Sequence, residues 1–180
     1  MKTWPTLGAF SFNVIGLEGC VLQSISHGFV SSGMFFIIGT LYERYHSRFV
    51  YYYGGLIHTM PIYSIMFFIF TMANIALPGT SSFIGEFLLL VGIYNSNTIC
   101  SIAGTTGVMI CGGYSLWLYN RIIFGNLKAN YTKKFKDISF REFTVLLPLT
   151  FFVFAAGIFP SIFLNFIHFS SINFTISNIY

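Results

Sequence analysis

The sequence predicts an all-α, polytopic membrane protein with about four transmembrane helices, the second of them broken. Three observations predict it. Of 180 residues, 55% are hydrophobic and only 8% are charged, with a mean hydropathy of +0.74, whereas a soluble domain carries about 25% charged residues. Several runs reach the ~20 apolar residues that a spanning helix needs. The basic residues gather in two loops instead of covering a surface. Neither an internal repeat nor a low-complexity linker divides the chain, so residues 1–180 read as a single membrane domain.

The first span is expected at 17–41, where Glu18, Gln23 and His27 are the strongly polar members. The stretch 62–94 is the second. As one straight helix it would measure about 50 Å, at 1.5 Å per residue, against a hydrocarbon layer of ~30 Å. It is too long for one straight crossing and too short for two. Near its middle lies Leu77-Pro78-Gly79-Thr80-Ser81-Ser82. Pro removes a backbone donor and Gly loosens the chain, so a break is expected at Leu77-Pro78-Gly79. Broken helices are tolerated in a bilayer where protein or water satisfies the freed backbone groups, and in transporters they mark ion pathways. A plain kink, or a turn into a short interfacial helix, is the alternative. The third span, 99–124, is rich in glycines that permit close helix packing. The fourth, 143–166, contains Pro148 and Pro160.

Topology follows from the cations. All of the nine Lys and Arg except Lys2 fall in the loops 42–58 and 125–142 or at their edges. Two loops separated by an even number of crossings share one face, as the positive-inside rule requires. That supports counting 62–94 as one crossing, and it places the tail after Phe166 on the opposite face. The run 126–140 reads as a polar loop, and Lys128 to Arg141 as a topology determinant and lipid headgroup contact. The placement of the cations, without aromatic-basic surface motifs, argues against nucleic acid as a partner.

Cys20, Cys100 and Cys111 lie in apolar stretches without CxxC or paired-His spacing, so packing is expected and neither a metal site nor a disulfide framework is. The start, Met1-Lys2-Thr3-Trp4-Pro5, reads as lacking a removable targeting segment. The 23 Phe and 11 Tyr have AT-rich codons, which fits a compact organellar genome.

Of the five acids, Glu18 and Glu43 sit at the ends of the first span, and Asp137 and Glu142 sit in or beside the basic loop. Glu86 alone has long apolar runs on both sides. A charge at mid-membrane costs several kcal/mol, so such a residue is a functional candidate by default. It follows the Pro78 break by one to two turns, where loosened backbone admits water. Proton exchange is the expected chemistry, and a carboxyl kept for packing is the alternative. His27 lies mid-span, and imidazole both accepts and releases protons near neutrality; its alternative is a hydrogen-bonded packing residue. His46, His58 and His168 read as solvated or interfacial. Glu43 and Arg44 read either as a contact with a neighbouring subunit or as surface. No phosphate-cradling Gly loop, Ser/His/Asp triad or haem ligand pair is present.

The runs Ser26-His27-Gly28-Phe29-Val30-Ser31-Ser32, Leu41-Tyr42-Glu43-Arg44, Gly54-Gly55-Leu56 and Leu77-Pro78-Gly79-Thr80-Ser81-Ser82-Phe83-Ile84-Gly85-Glu86-Phe87 resemble the chain 4 family of antiporter-like membrane subunits of mitochondrial NADH:ubiquinone oxidoreductase, respiratory complex I. That family is similar also to subunits of multi-subunit sodium/proton antiporters. The resemblance runs from about Leu7 to Phe166 and covers the family's carboxyl-terminal part, spans eleven to fourteen of fourteen, with Thr6 to Asn13 resembling the end of span ten.

The resemblance implies that Glu86 is the terminal proton carrier of a half-channel, that His27 lies on the central hydrophilic axis, and that Pro78 and Gly79 make the helix break. The family's central lysine has no counterpart here, so the resemblance implies that this chain does not pump alone. The missing half is expected as a separate chain from a split gene, with a fragment of one longer chain as the alternative. The other implied partners are membrane-arm subunits of complex I and lipids. No cofactor is expected on this chain; NADH, FMN, iron–sulfur clusters and ubiquinone belong to other subunits. The implied enzyme is the proton-pumping NADH:ubiquinone reductase, without redox chemistry in this chain. The implied site is the mitochondrial inner membrane, with loops 42–58 and 125–142 on the matrix side. A subunit of a cation/proton antiporter, and a structural membrane piece without a proton path, are the alternatives.

Overall fold

The computed structural model describes residues 3–11, 13–126 and 136–179, apart from the side chains at 3, 4, 7 and 176–179. Every regular element among the described residues is helical: α1 (Thr3–Ala9), α2 (Val14–Tyr45), α3 (Pro61–Asn74), α4 (Ser81–Ser96), α5 (Thr98–Ile123), α6 (Phe140–Ile158) and α7 (Pro160–Ile179), with short 3-10 turns at Val50–Tyr52 and Leu56–His58. α2, α5 and α6 are each long and apolar enough to cross a membrane. Apolar side chains run all round α2 and α5 instead of forming one stripe, the pattern of a helix with apolar surroundings on every side. Phe35, Ile99, Met109, Ile110 and Trp117 are accordingly exposed on the outside of the bundle.

α2 is the axis of the fold. Its 32 residues amount to about 48 Å, more than the ~30 Å hydrocarbon layer, so its ends project from the apolar zone. His46 adopts the left-handed conformation at φ 50° and closes the helix with its N–H donating to Tyr42 O at 2.7 Å. Arg44 sits in the last turn, where a cation is favoured by the helix dipole.

α3 and α4 run end to end, antiparallel to α2. Ile62 and Tyr63 lie near Arg44, because both donate backbone N–H to Asp137, whose own carbonyl accepts from Arg44. Phe70 covers Gly33, Gly85 covers Gln23, and Gly92 covers Gly16, so the pairing descends α2 as the chain ascends from α3 to α4. The α2–α4 interface is the most extensive in the protein, and small residues make it so. A Cβ on Gly85 would stand 2.9 Å from Gln23 Cα, and one on Gly92 2.5 Å from Gly16 Cα, so both positions require the bare backbone.

α5 returns toward the Arg44 end after a tight turn. Asn97 caps it, its Oδ1 accepting from Ile99 N at 3.0 Å and Cys100 N at 3.3 Å. α6 begins with a capping box, in which the Ser139 hydroxyl accepts from Glu142 N and the Glu142 carboxylate accepts from Ser139 N. The core lies between α2, α3, α5 and α6, around Val30, Ile37, Tyr63, Phe67, Phe70, Ile123 and Leu146. Phe29 stacks on Phe152 with ring centroids 5.2 Å apart.

The stretch expected as one span at 143–166 divides in two. The first helix starts three residues earlier, at Phe140, and stops at Ile158; α7 then begins at Pro160. Pro lacks an N–H and its ring pushes the preceding residue out of the helical region, and Phe159 is indeed non-helical at φ −118°, ψ 63°. The residues after Phe166 continue as helix to Ile179 and pack on α2. Of the expected polar loop, 127–135, with Lys128, Lys133 and Lys134, lies outside the described residues, as does Lys2.

Candidate functional site

The site grows from the gap between α3 and α4. α3 closes with two backbone bonds, Leu77 N to Met72 O at 3.1 Å and Ala76 N to Ala73 O at 3.2 Å. This is the Schellman pattern, whose left-handed position usually holds Gly. Here Ala76 holds it, at φ 63°. Pro78 follows and supplies no N–H. Gly79 takes φ +97°. Thr80 then turns the chain, its N–H and hydroxyl both donating to Leu77 O, at 3.0 and 2.8 Å. From α6, Gly157 seats against the Gly79 carbonyl so closely that a Cβ there would collide with it. The break is thus a packed structural element covered by a third helix.

α4 resumes at Ser81 and carries Glu86. The carboxyl is half-buried, and Gln23 Nε2–H of α2 donates to Glu86 Oε1 at 3.2 Å. Gly85 makes this contact reachable by letting α4 rest on the Gln23 backbone. On its other side Glu86 lines a cavity of about 220 Å³ together with Asn74, Ile75, Gly107, Cys111 and Tyr114. At ~30 Å³ per water, that is room for roughly seven molecules. Cys111 Sγ–H donates weakly to Tyr114 Oη at 3.6 Å.

Several buried polar atoms here have no partner among the described residues: Gln23 Oε1, Ser26 Oγ and Ser81 Oγ. An orphaned buried polar atom costs about 1–3 kcal/mol, and water is the usual partner for such groups. The arrangement can therefore present a carboxyl to internal water while an amide donor holds one of its oxygens.

His27 lies one helical turn beyond Gln23, is half-buried, and has no hydrogen-bond partner among the described residues. The structure joins Glu86 to Gln23, not to His27. Sequence reasoning named Gln23 only as a polar member of its span, and passed over Asn74 and Tyr114. The spacing of Gln23 four residues before His27 was the one signal available. The three cysteines are free; Cys20 and Cys111 are half-buried and Cys100 is exposed. Among the described residues no three His, Cys, Asp or Glu gather to hold a metal ion.

At the far end of α2, Arg44 is a clamp. Its guanidinium donates to Glu142 Oε2 at 2.7 Å, to the Lys136 and Asp137 carbonyls, and to Thr40 O. Arg44 is thus paired within the chain, to the start of α6, while Glu43 beside it is exposed. Glu18 and His168 pair at the opposite end.

Fold and site together define a multi-pass membrane protein in which an interrupted helix brings one carboxyl to a partly open pocket. The chain belongs to the NADH:quinone oxidoreductase/Mrp antiporter transmembrane family, whose model matches residues 3–111. It is 49% identical over 168 residues to NADH-ubiquinone oxidoreductase chain 4 of Marchantia polymorpha, covering 93% of this chain and 34% of that protein. It superposes on a chain of respiratory complex I from Thermus thermophilus with TM-score 0.88 and 27% identity, over 96% of this chain and 36% of that one. A chain of the Mrp complex from Dietzia shares the fold, with TM-score 0.81 and 19% identity, over 94% of this chain and 40% of that one. The chain spans about a third of the length of the curated relatives it matches.

Proposed function

We propose that this chain is the carboxyl-terminal portion of a proton-translocating membrane-arm subunit of respiratory complex I, supplying part of a proton half-channel. The observation that carries this is the placement of Glu86, hydrogen-bonded to Gln23 on one side and lining the 220 Å³ cavity beside the helix break on the other. In this reading Glu86 takes a proton from cavity water and releases it again, while the Gln23 amide favours the carboxylate whenever the proton leaves. Pro78 and Gly79 keep the helix open beside it. His27, one turn along α2 from Gln23, extends the relay through water held by Ser26 and Gln23.

The remaining spans come from a separate polypeptide, and other membrane-arm subunits complete the assembly. α3 and α4 make one broken crossing. The chain sits in the mitochondrial inner membrane with loops 42–58 and 125–142 toward the matrix. NADH oxidation and ubiquinone reduction take place in other subunits, with their FMN and iron–sulfur clusters, and this chain uses the energy they release. The 49% identity to the Marchantia chain favours this reading over a cation/proton antiporter subunit, the Mrp complex chain being 19% identical.

Glu86→Gln in the assembled complex is the test. It keeps the size and a hydrogen-bonding partner for Gln23 but abolishes proton exchange. NADH-driven proton translocation in sealed inner-membrane vesicles is expected to fall at least several-fold, with assembly retained. Unchanged translocation would assign Glu86 to packing. Mass spectrometry of the purified complex is expected to find this chain as its own polypeptide beside flavin- and quinone-bearing subunits. One longer chain covering this sequence would refute the split.

A further inference from the structure

Glu18 lies in the second turn of α2, at the edge of the apolar span, and its side chain is only 12% exposed. Its Oε1 meets two groups from α7: His168 Nδ1, as an ion pair when the ring is protonated, and the Ser171 hydroxyl, whose one proton is shared between this oxygen at 3.3 Å and the His168 carbonyl at 2.8 Å. The His168 side chain is 60% exposed. A buried acid is thus coupled to an exposed imidazole, with a hydroxyl sharing the same oxygen. The Glu86 site uses none of these three residues.

The position along α2 is informative. Glu18 lies about 39 Å from Arg44 along the helix axis, at 1.5 Å per residue. That exceeds the ~30 Å hydrocarbon layer, so with Arg44 at one boundary Glu18 stands at the other. Gln23, which holds Glu86, lies about 7.5 Å further in from Glu18. The pair therefore sits at the end of α2 toward which Glu86 is displaced.

We propose that Glu18, His168 and Ser171 form a proton-exchange station at the α2–α7 boundary, through which the Glu86 half-channel reaches water on the face opposite Arg44. This rests on the proton-translocating reading above. Water protonates the exposed ring at Nε2, and Nδ1–H passes its proton to Glu18 Oε1, leaving a neutral imidazole and a carboxylic acid. Glu18 gives the proton onward through water, and the ring then exchanges Nε2–H for Nδ1–H through water, which restores the starting tautomer. While the ring cannot donate, Ser171 can turn its one hydroxyl proton from the His168 carbonyl to Oε1, so discharge does not orphan the acid. A fixed cation would pin the helices without exchanging protons, whereas imidazole exchanges them near neutral pH.

Among the described residues no other charged group is seen to meet the pair. From α7 only His168 and Ser171 face Glu18 among the described residues. α1 contains no ionisable side chain, and α4 offers Glu86, engaged with Gln23, and Tyr94, exposed at its far end.

Two variants of the assembled complex test this, measured in sealed inner-membrane vesicles across pH 6 to 8. His168→Gln keeps a hydrogen bond to Glu18 but does not titrate; His168→Arg keeps the charge but does not exchange. Both are expected to assemble, to lose at least threefold in proton translocation, and to flatten its dependence on pH. Wild-type translocation and pH profile in either assembled variant would reduce the pair to a helix pin and overturn the proposal. Glu86→Gln is run beside them. If it impairs translocation while the His168 variants do not, only the station fails. If it is silent, the half-channel reading fails and the station with it.

Discussion

Glu86 and Gln23 are held together by one hydrogen bond of 3.2 Å, and that bond decides what the carboxyl can do. A hydrogen bond to a charged group contributes about 1.5–3 kcal/mol, and 1.4 kcal/mol is a factor of ten in rate. Gln23→Leu removes the donor, and also the Gln23 Oε1 that lacks a partner among the described residues. It is expected to lower proton translocation about tenfold in sealed vesicles, without loss of the assembled complex. Wild-type translocation in Gln23→Leu would show that the amide is packing alone. Ala76 makes a second prediction at this scale. Its left-handed backbone, φ 63°, costs an L-residue roughly 1–2 kcal/mol. Nothing but the methyl group is lost in Ala76→Gly, so the variant is expected to gain about 1 kcal/mol. Resistance of the detergent-solubilised complex to heat-induced dissociation measures it, and no gain would mean that the conformation is unstrained.

α3 lacks a capping side chain of its own, since Met60 precedes it and offers no acceptor. Asp137 performs that service from the chain leading into α6, accepting from Ile62 N at 2.7 Å and Tyr63 N at 3.1 Å. Arg44 in turn holds the carbonyls of Lys136 and Asp137. The start of the broken helix is therefore fixed by α2 and α6, which is why the break itself can remain rigid with only short segments on each side. Asp137→Ala removes the acceptor of three amide donors, those of Ile62 and Tyr63 and its own neighbour Ile138, at a cost of about 1–2 kcal/mol for the lost cap. Hydrogen exchange at Ile62 and Tyr63 is expected to accelerate about tenfold, and Asp137→Asn to recover part of the protection because the acceptor remains. Equal exchange in all three proteins would remove Asp137 as the cap.

The whole molecule presents two unlike ends. One gathers Arg44, Arg48, Arg121, Lys136 and Arg141, and the other carries Glu18, His168 and the exposed Cys100. In the proposed orientation, with the cationic end toward the matrix, Cys100 faces the opposite compartment. In mitoplasts an impermeant thiol reagent is expected to label Cys100 from outside, and to label Arg48→Cys only once the membrane is opened. Labelling of both from one side would overturn the single crossing of α3 and α4. The many large apolar side chains on the outside of the bundle suit lipid and the subunits that complete the assembly.

The membrane class, the helical elements and the candidacy of Glu86 were legible in the sequence itself. They depend on local properties: apolar length, the placement of cations, and Pro and Gly in the middle of a long apolar run. Pro160 was equally visible, yet 143–166 was read as one span, because apolar length outweighed a residue that both starts helices and ends them. Tertiary structure decided the pairings. Gln23 reaches Glu86 across 63 positions, Arg44 reaches Glu142 across 98 and Glu18 reaches His168 across 150. Such contacts follow from which helix faces which, and that is set by where glycines let backbones approach. Gly16 and Gly19 mark a face of α2 open to close packing, without saying which helix fills it. The sequence by itself determined that a carboxyl would lie in an apolar helix after a break; only the packing of α2, α4 and α5 decided that it meets an amide and a cavity.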